Sequence, residues 1–245
     1  INGEEVPGAG SSSGAIGNGA DTAFFVDRIP AELISKIEIV RSASANRSGD
    51  AMAGAINIVL KDGYALEGGY VRFGALAFDD GRVRESAGAV WGGKIGDGRL
   101  LLGASVQGRH NPKRKTSLRY DDVGEDLNNS ELQRDTRDGT DYSANFAWET
   151  PVGENGEFTL DGFYVKTERF QDEDSIEYRD GVEALNNIDV VNSNDVDIDQ
   201  ESFSVNGGYK LEAFGGKTSF KLGYASFKDD TFEFENEMEY SRDAI

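Results

Sequence analysis

The chain has 245 residues, a formal net charge of −20 and no cysteine, and these values exclude several classes of protein. A nucleic-acid partner is excluded because phosphate binding requires a basic surface. A disulfide framework or a thiolate metal site would require cysteine. Apolar residues make up only 38%, and no stretch reaches the roughly 18 unbroken apolar residues of a membrane-spanning helix. The 31 glycines and the strand-like runs between turns favour a mainly β fold.

Residues 1–63 are predicted to form a small α/β module. Pro30 suits the first turn of a short helix that ends near Ser35. Residues 37–40 alternate as a half-buried strand, and residues 55–60 form a second, mostly apolar strand. The chain opens without the basic and apolar regions of a signal peptide, which for a secreted protein predicts a processed or truncated chain.

From residue 64 onward the sequence consists of short runs with a two-residue period, each with one apolar and one polar face. That period fits a soluble sandwich as well as a membrane barrel. The apolar faces, however, end in Tyr, Trp or Phe while the polar faces carry Lys and Arg, as in outer-membrane strands. The predicted strands cover or centre on residues 71–77, 87–91, 100–108, 142–149, 158–164, 202–211 and 217–230.

The connections between these strands differ in length in a regular way. Short connections are predicted at 79–82, 96–99, 151–156 and 213–216, and long polar loops at 111–139 and 171–200. Short and long alternate over the last five, as in an outer-membrane meander with short periplasmic turns and longer extracellular loops. In a soluble sandwich, short and long loops are not expected to be segregated to opposite ends of the strands.

Two geometric limits predict a fragment. An open sheet of seven strands would leave both edges unpaired in lipid. A preceding module of about 60 residues fits only inside a plugged barrel of about 22 strands. We therefore expect a partial plug domain in residues 1–63, followed in residues 64–245 by the N-terminal portion of an antiparallel transmembrane β-barrel.

The first module resembles the plug of TonB-dependent outer-membrane receptors. The family pattern is I-P-x-x-x-I-x-x-I-E-V-x-R/K, a Gly/Ser-rich turn, then G-x-I-N-I-x-x-K. The matching residues are Ile29-Pro30, Ile34, Ile37-Glu38-Ile39, Arg41, Gly54, Ile56-Asn57-Ile58 and Lys61, and residues 1–7 look like the family's earlier plug strand. In the turn, Ser42-Ala43 replaces the usual Gly-Pro.

The resemblance implies energy-coupled uptake of a scarce nutrient, most commonly a ferric siderophore, across the bacterial outer membrane. Its implied partners are the TonB energy-transducing complex, the nutrient, and the outer membrane with its lipopolysaccharide. The segment that contacts TonB would lie upstream of Ile1. A receptor for oligosaccharide or another non-iron nutrient, a passive outer-membrane barrel or adhesin, and a secreted soluble sandwich remain as alternatives.

The resemblance also implies that Glu38 and Arg41 meet charged residues of the barrel wall and couple the plug to the barrel. A buried ion pair of this kind can hold a domain and yet release it, because breaking the pair rehydrates both charges. The alternative is that both residues face water. Asn57 points away from its apolar neighbours and is assigned to the same coupling region, in a structural role rather than ligand contact.

Basic residues on the predicted polar faces would line the lumen and attract anionic cargo through a focused field. Alternatively, they pair with the plug or with carboxylates of strands that this chain does not contain. These lumen candidates are Arg72, Arg84, Lys94, Gln107, Arg109, Lys210 and Lys221.

A second basic group lies where a strand leaves the membrane, at the height of lipopolysaccharide phosphates, which Lys and Arg bind well. Its members are His110, Lys113, Arg114 and Lys115, and the alternative is a solvated loop.

Residues 171–201 are strongly acidic, with eleven Asp and Glu against one Arg. They lack the glycine and terminal glutamate of an EF-hand, so a solvated acidic loop is predicted rather than a calcium site. One histidine, no cysteine, and no Ser-His-Asp or HExxH spacing predict that the protein is not an enzyme and needs no metal or other cofactor.

Overall fold

A computed structural model describes residues 34–40, 55–60, 66–121, 126–213 and 215–240. The described residues are almost entirely β-strand. None of the helices within these ranges is long and apolar enough to span a membrane. Most of the predicted plug module, including Arg41 and the turn after it, lies outside the described residues.

The strands form two antiparallel sheets. Strands β1 and β2 form a two-stranded sheet, and β3 to β9 form a seven-stranded meander in which each strand pairs with the next in sequence. The elements are β1 (Ile34–Val40), β2 (Ala55–Leu60), β3 (Gly68–Ala77), β4 (Val83–Ile95), β5 (Gly98–Tyr120), β6 (Leu127–Val152), β7 (Gly156–Arg179), a 3-10 helix (Leu185–Asn187), β8 (Ile188–Ala213) and β9 (Gly216–Glu239).

All seven strands predicted after residue 63 are present, and each pairs as expected for a meander. The short connections are also present. Gly96 and Gly153 adopt positive φ angles of 61° and 67° in two of these turns, a conformation that glycine adopts without steric cost. The prediction of a large antiparallel β-structure is therefore confirmed.

The two predicted long loops are wrong, because most of residues 111–139 and 171–200 are strand. β5 and β6 stay paired out to Tyr120 and Leu127, and β7 and β8 stay paired out to Tyr178 and Ile188. A hairpin can continue without an apolar face because its backbone hydrogen bonds and cross-strand ion pairs sustain the ladder. Of the eleven predicted acidic loop residues, only Asp180 and Glu183 lie between the strands.

The structure also corrects the first module where it is described. Ile34 and Ser35 belong to β1 and not to the end of a helix, since this β-branched run favours extended backbone. The strand predicted at 37–40 exists, but Ile37 and Ile39 are 55% and 71% exposed rather than half-buried.

The register of the large sheet divides its side chains into two faces. One row across the sheet contains Trp91, Leu102, Phe146, Gly162, Val205 and Tyr224. We call this side the apolar face and the opposite side the polar face. On the polar face Val90, Leu101 and Val165 are at most 6% exposed, whereas Trp91 and Leu102 exceed 40%. In this part of the sheet the polar face is therefore more enclosed than the apolar face.

Candidate functional site

The apolar face carries aromatic residues at two levels. Near the short turns lie Trp148, Phe158, Tyr209 and Phe220, and towards the long hairpins lie Tyr142, Tyr164, Phe203 and Tyr224. On β8 the alternating positions of the apolar face run from Phe203 to Leu211, nine residues. At about 3.4 Å per residue and a tilt of about 40°, this spans about 23 Å. The hydrocarbon-facing band of an outer-membrane barrel is about 25 Å tall.

A shallow groove of about 850 Å³ crosses the apolar face between these levels. Its floor is formed by Ala89, Ala104 and Ala144, and aromatic side chains such as Trp91 and Phe146 flank it. Small side chains in adjacent rows leave this space open, and the surface around it stays apolar.

The polar face brings together most of the predicted lumen residues. By register, Arg72, Lys94, Gln107, Arg109, Lys210 and Lys221 all lie on this face. Part of their charge is neutralised, since Lys210 lies 2.7 Å from Glu157 and Arg109 lies 2.8 Å from Asp141. Arg84 also occupies a polar-face position by register, but its guanidinium lies 2.8 Å from Asp138, which is in a row of the apolar face.

Asp141, which the sequence places among the polar-face carboxylates without a site role, is the centre of an ionic network. Its carboxylate is 4% exposed and accepts hydrogen bonds from Arg109 Nε at 2.8 Å and from the hydroxyl of Thr167 at 3.0 Å. A second guanidinium, that of Arg169, lies 3.7 Å away. The only sequence signal for this network is that these residues occupy polar-face positions on neighbouring strands.

Uncharged polar side chains form another part of the polar face. The hydroxyls of Ser105 and Ser143 are 2.8 Å apart. Asn206 donates a hydrogen bond to Asp161 at 3.2 Å, and Ser202 and Ser204 are buried beside it on β8. The polar face between the aromatic levels therefore presents hydroxyl and amide groups as well as charge.

The four residues predicted to contact lipopolysaccharide are divided between the two faces. By the alternation of β5, His110 and Arg114 are on the same side of the sheet as the apolar face, while Lys113 and Lys115 are on the side of the polar face. Arg114 lies directly opposite Arg134, a second outward cation that the sequence did not bring into the group. His110 is 6% exposed and is enclosed by other side chains.

His110 lies between two carboxylates. Its Nε2 is 2.6 Å from Asp80 and its Nδ1 is 2.6 Å from Asp138, and its side chain is fully buried. The ring of Phe78 packs edge-on against the imidazole with centroids 4.8 Å apart. Arg82, which lies in the same turn as Asp80, also forms an ion pair with Asp138. The turn between β3 and β4 therefore covers His110.

Both carboxylates in this group are stabilised in their charged form. The backbone amide of Arg82, supported by His110, lowers the pKa of Asp80 below its ordinary value. Partial burial opposes ionisation of Asp138, but hydrogen bonds from Arg84 and His110 outweigh it, so its pKa is also lowered.

Carboxylates dominate the outer side of the long hairpins above the apolar band. Asp172 lies directly opposite Asp195, and Asp199 lies directly opposite Asp230. Several of these residues line a groove of about 660 Å³. Among the described residues, no group of three or more His, Cys, Asp or Glu is arranged to hold a metal ion.

Replacing Asp172 with Asn is expected to stabilise the β7–β8 hairpin by about 0.2–0.5 kcal/mol, because like charges directly opposite each other repel and solvent weakens the effect. Desolvation and the charges of Asp174 and Asp195 raise the pKa of Asp172 in the folded state. The folded state therefore takes up this proton more readily, and the gain should disappear as the pH falls through the raised pKa to below 3.8. Denaturant unfolding at neutral and acid pH measures this, and a destabilised variant at neutral pH contradicts it.

No model of a known protein family matches the sequence, and no curated protein matches it. The resemblance to TonB-dependent receptors therefore rests on the motif residues quoted above.

Proposed function

We propose that the chain is part of a bacterial outer-membrane transport protein whose strands β3 to β9 form a section of the barrel wall. The observation that carries this proposal is the division of one sheet into an apolar and a polar face. The face assigned as outer is apolar and exposed over about 23 Å and carries aromatic residues at two levels, while the face assigned as inner is polar and ion-paired. The short turns at one end of the sheet and the long hairpins at the other are consistent with strands that cross the membrane with the long hairpins outside the cell.

The proposal extends to TonB-dependent active transport because of the plug motif in residues 29–61. Within the described part of that motif, β1 and β2 pair so that Glu38 lies opposite Asn57. Glu38 forms an ion pair with Lys36 at 2.7 Å. In this proposal Glu38, Arg41 and Asn57 belong to the surface at which a pull through TonB would loosen the plug, because breaking ion pairs there exposes their charges to water.

A ferric siderophore is the cargo that the family resemblance favours, and the basic residues of the polar face would attract an anionic complex. A specific observation favours a second candidate, an oligosaccharide. The inner surface presents hydroxyl and amide groups, such as those of Ser143 and Asn206, and these groups hydrogen-bond neutral sugars.

Uptake measurements in a strain in which the gene is disrupted test the proposal. We expect loss of uptake of one nutrient, restoration by the gene, and equal loss when the TonB system is deleted. Ferric siderophores and labelled oligosaccharides, assayed in parallel, separate the two cargo classes. Uptake that persists without TonB would indicate a passive barrel, and recovery of the protein from the soluble fraction would contradict the membrane location.

A further inference from the structure

The cluster around His110 places a single imidazole between two carboxylates that belong to different hairpins. Asp80 lies in the turn between β3 and β4, and Asp138 lies on β6. A neutral imidazole has one N–H donor and one acceptor nitrogen. Both ring nitrogens here lie 2.6 Å from a carboxylate oxygen, so both must donate for both contacts to be hydrogen bonds.

We propose that these residues form a pH-sensitive clasp. The doubly protonated imidazole of His110 ties the β3–β4 turn to the β5–β6 hairpin by donating to Asp80 and Asp138 at the same time. When the imidazole loses one proton, one carboxylate faces a lone pair instead of a donor. The clasp is then expected to open on the side of the turn.

The surroundings decide which contact breaks. Asp138 retains ion pairs with Arg82 and Arg84, and its side chain is only 18% exposed. The side chain of Asp80 is 39% exposed, and its remaining bond is to the backbone amide of Arg82 within the same turn. Breaking the hydrogen bond between His110 and Asp80 therefore costs less free energy than breaking the one to Asp138, because water can replace His110 at Asp80. The part of the turn that contains Asp80 is then the part that moves.

Other charged groups also lie near the imidazole, but none of them takes the place of the contact between His110 and Asp80. The turn contributes Asp80 and Arg82, β4 contributes Arg84, and β6 contributes Asp138. On β7, Phe170 lies directly opposite Asp138. Glu168 and Asp172 lie on the same face of β7, two residues before and after Phe170. On β5 itself, the carbonyl of Arg109 accepts a hydrogen bond from Arg84 at 3.2 Å. The opening therefore follows the proton on His110.

Nuclear magnetic resonance of the protein in detergent micelles tests the clasp, because this sequence contains one histidine. The nitrogen signals of its ring report whether both nitrogens carry protons. The amide of Gly81, which donates to the carbonyl of Phe78 at 2.9 Å, reports the order of the turn. The amide of Gly103 in β5 serves as a control within the same sample.

We expect the protection of the Gly81 amide, corrected for intrinsic exchange, to fall about tenfold as the histidine becomes neutral, since a hydrogen bond to a charged group is lost. Gly103 should not change. In His110→Phe, which keeps a ring beside Phe78, the Gly81 amide should be poorly protected at every pH. In Asp80→Asn, the protection of the Gly81 amide should depend much less on the protonation of His110. Unchanged Gly81 protection across the histidine titration, or a protected turn beside a neutral imidazole, would overturn the proposal.

Discussion

Replacing Ala144 with Arg is expected to destabilise the membrane-inserted protein by about 2–4 kcal/mol, because a charged side chain near the middle of the lipid-facing band loses its hydration. Ala144 lies on the apolar face between the two aromatic levels, beside Ala104 in the groove. The measurement is denaturant unfolding in lipid vesicles. The two tryptophans of the chain, Trp91 and Trp148, both lie on the apolar face and report the unfolding by fluorescence.

Asn145 provides the matched control, since it is the next residue along β6 and lies on the polar face. Asn145→Arg should change the free energy of unfolding much less, because its side chain would remain in water. In a soluble sheet the order would differ, since Ala144 would then be an exposed surface position where substitution changes stability by at most about 0.5 kcal/mol. Equal small effects of both substitutions would contradict the membrane assignment. Lipids with brominated chains add a second readout, because they should quench Trp91 and Trp148 by contact.

The part of this structure that could be predicted from sequence is the part governed by local periodicity. Strands such as 203–211 alternate apolar and polar residues, and that alternation is visible without knowing which strand lies next to it. The outer halves of the long hairpins were missed because charged and polar residues predominate in them, although Val196 and Ile198 of β8 alternate with aspartates and are buried. Lys113, Arg114 and Lys115 show no period, yet β5 continues through them because β6 supplies its hydrogen-bond partners.

The two side-chain clusters depend on register, which local pattern does not give. Asp80 lies 30 residues before His110 in sequence, and Asp138 lies 28 residues after it. A shift of one residue in the β5–β6 pairing would put His110 and Asp138 on opposite faces. For this reason the sequence placed His110 with its basic neighbours in a phosphate-binding group, whereas the structure encloses it between acids.

Removing the carboxylate of Asp141 is expected to cost about 1.5–3 kcal/mol of the free energy of unfolding, because the partly buried guanidiniums beside it lose a charged acceptor. In Asp141→Ala the guanidinium of Arg109, which lies 2.8 Å from the carboxylate, and the more distant Arg169 would repel each other on the inner face. The hydroxyl of Thr167 would also lose its acceptor. Denaturant unfolding in detergent micelles measures the loss, and the slope of the transition shows whether the fold itself has changed.

The exposed pair of Glu157 and Lys210 is the matched control for this result. Its atoms lie 2.7 Å apart, but the two side chains are 38% and 65% exposed. Glu157→Ala should therefore cost less than about 1 kcal/mol, because water replaces the lost partner. Thr167→Val should cost about 1 kcal/mol, and Asp141→Asn, which keeps an acceptor for Thr167, should still lose most of the ionic contribution. If Asp141→Ala were no worse than Glu157→Ala, the inner face around Asp141 would have to be as open to water as the surface. The buried ionic network could not then be what holds β5, β6 and β7 in register.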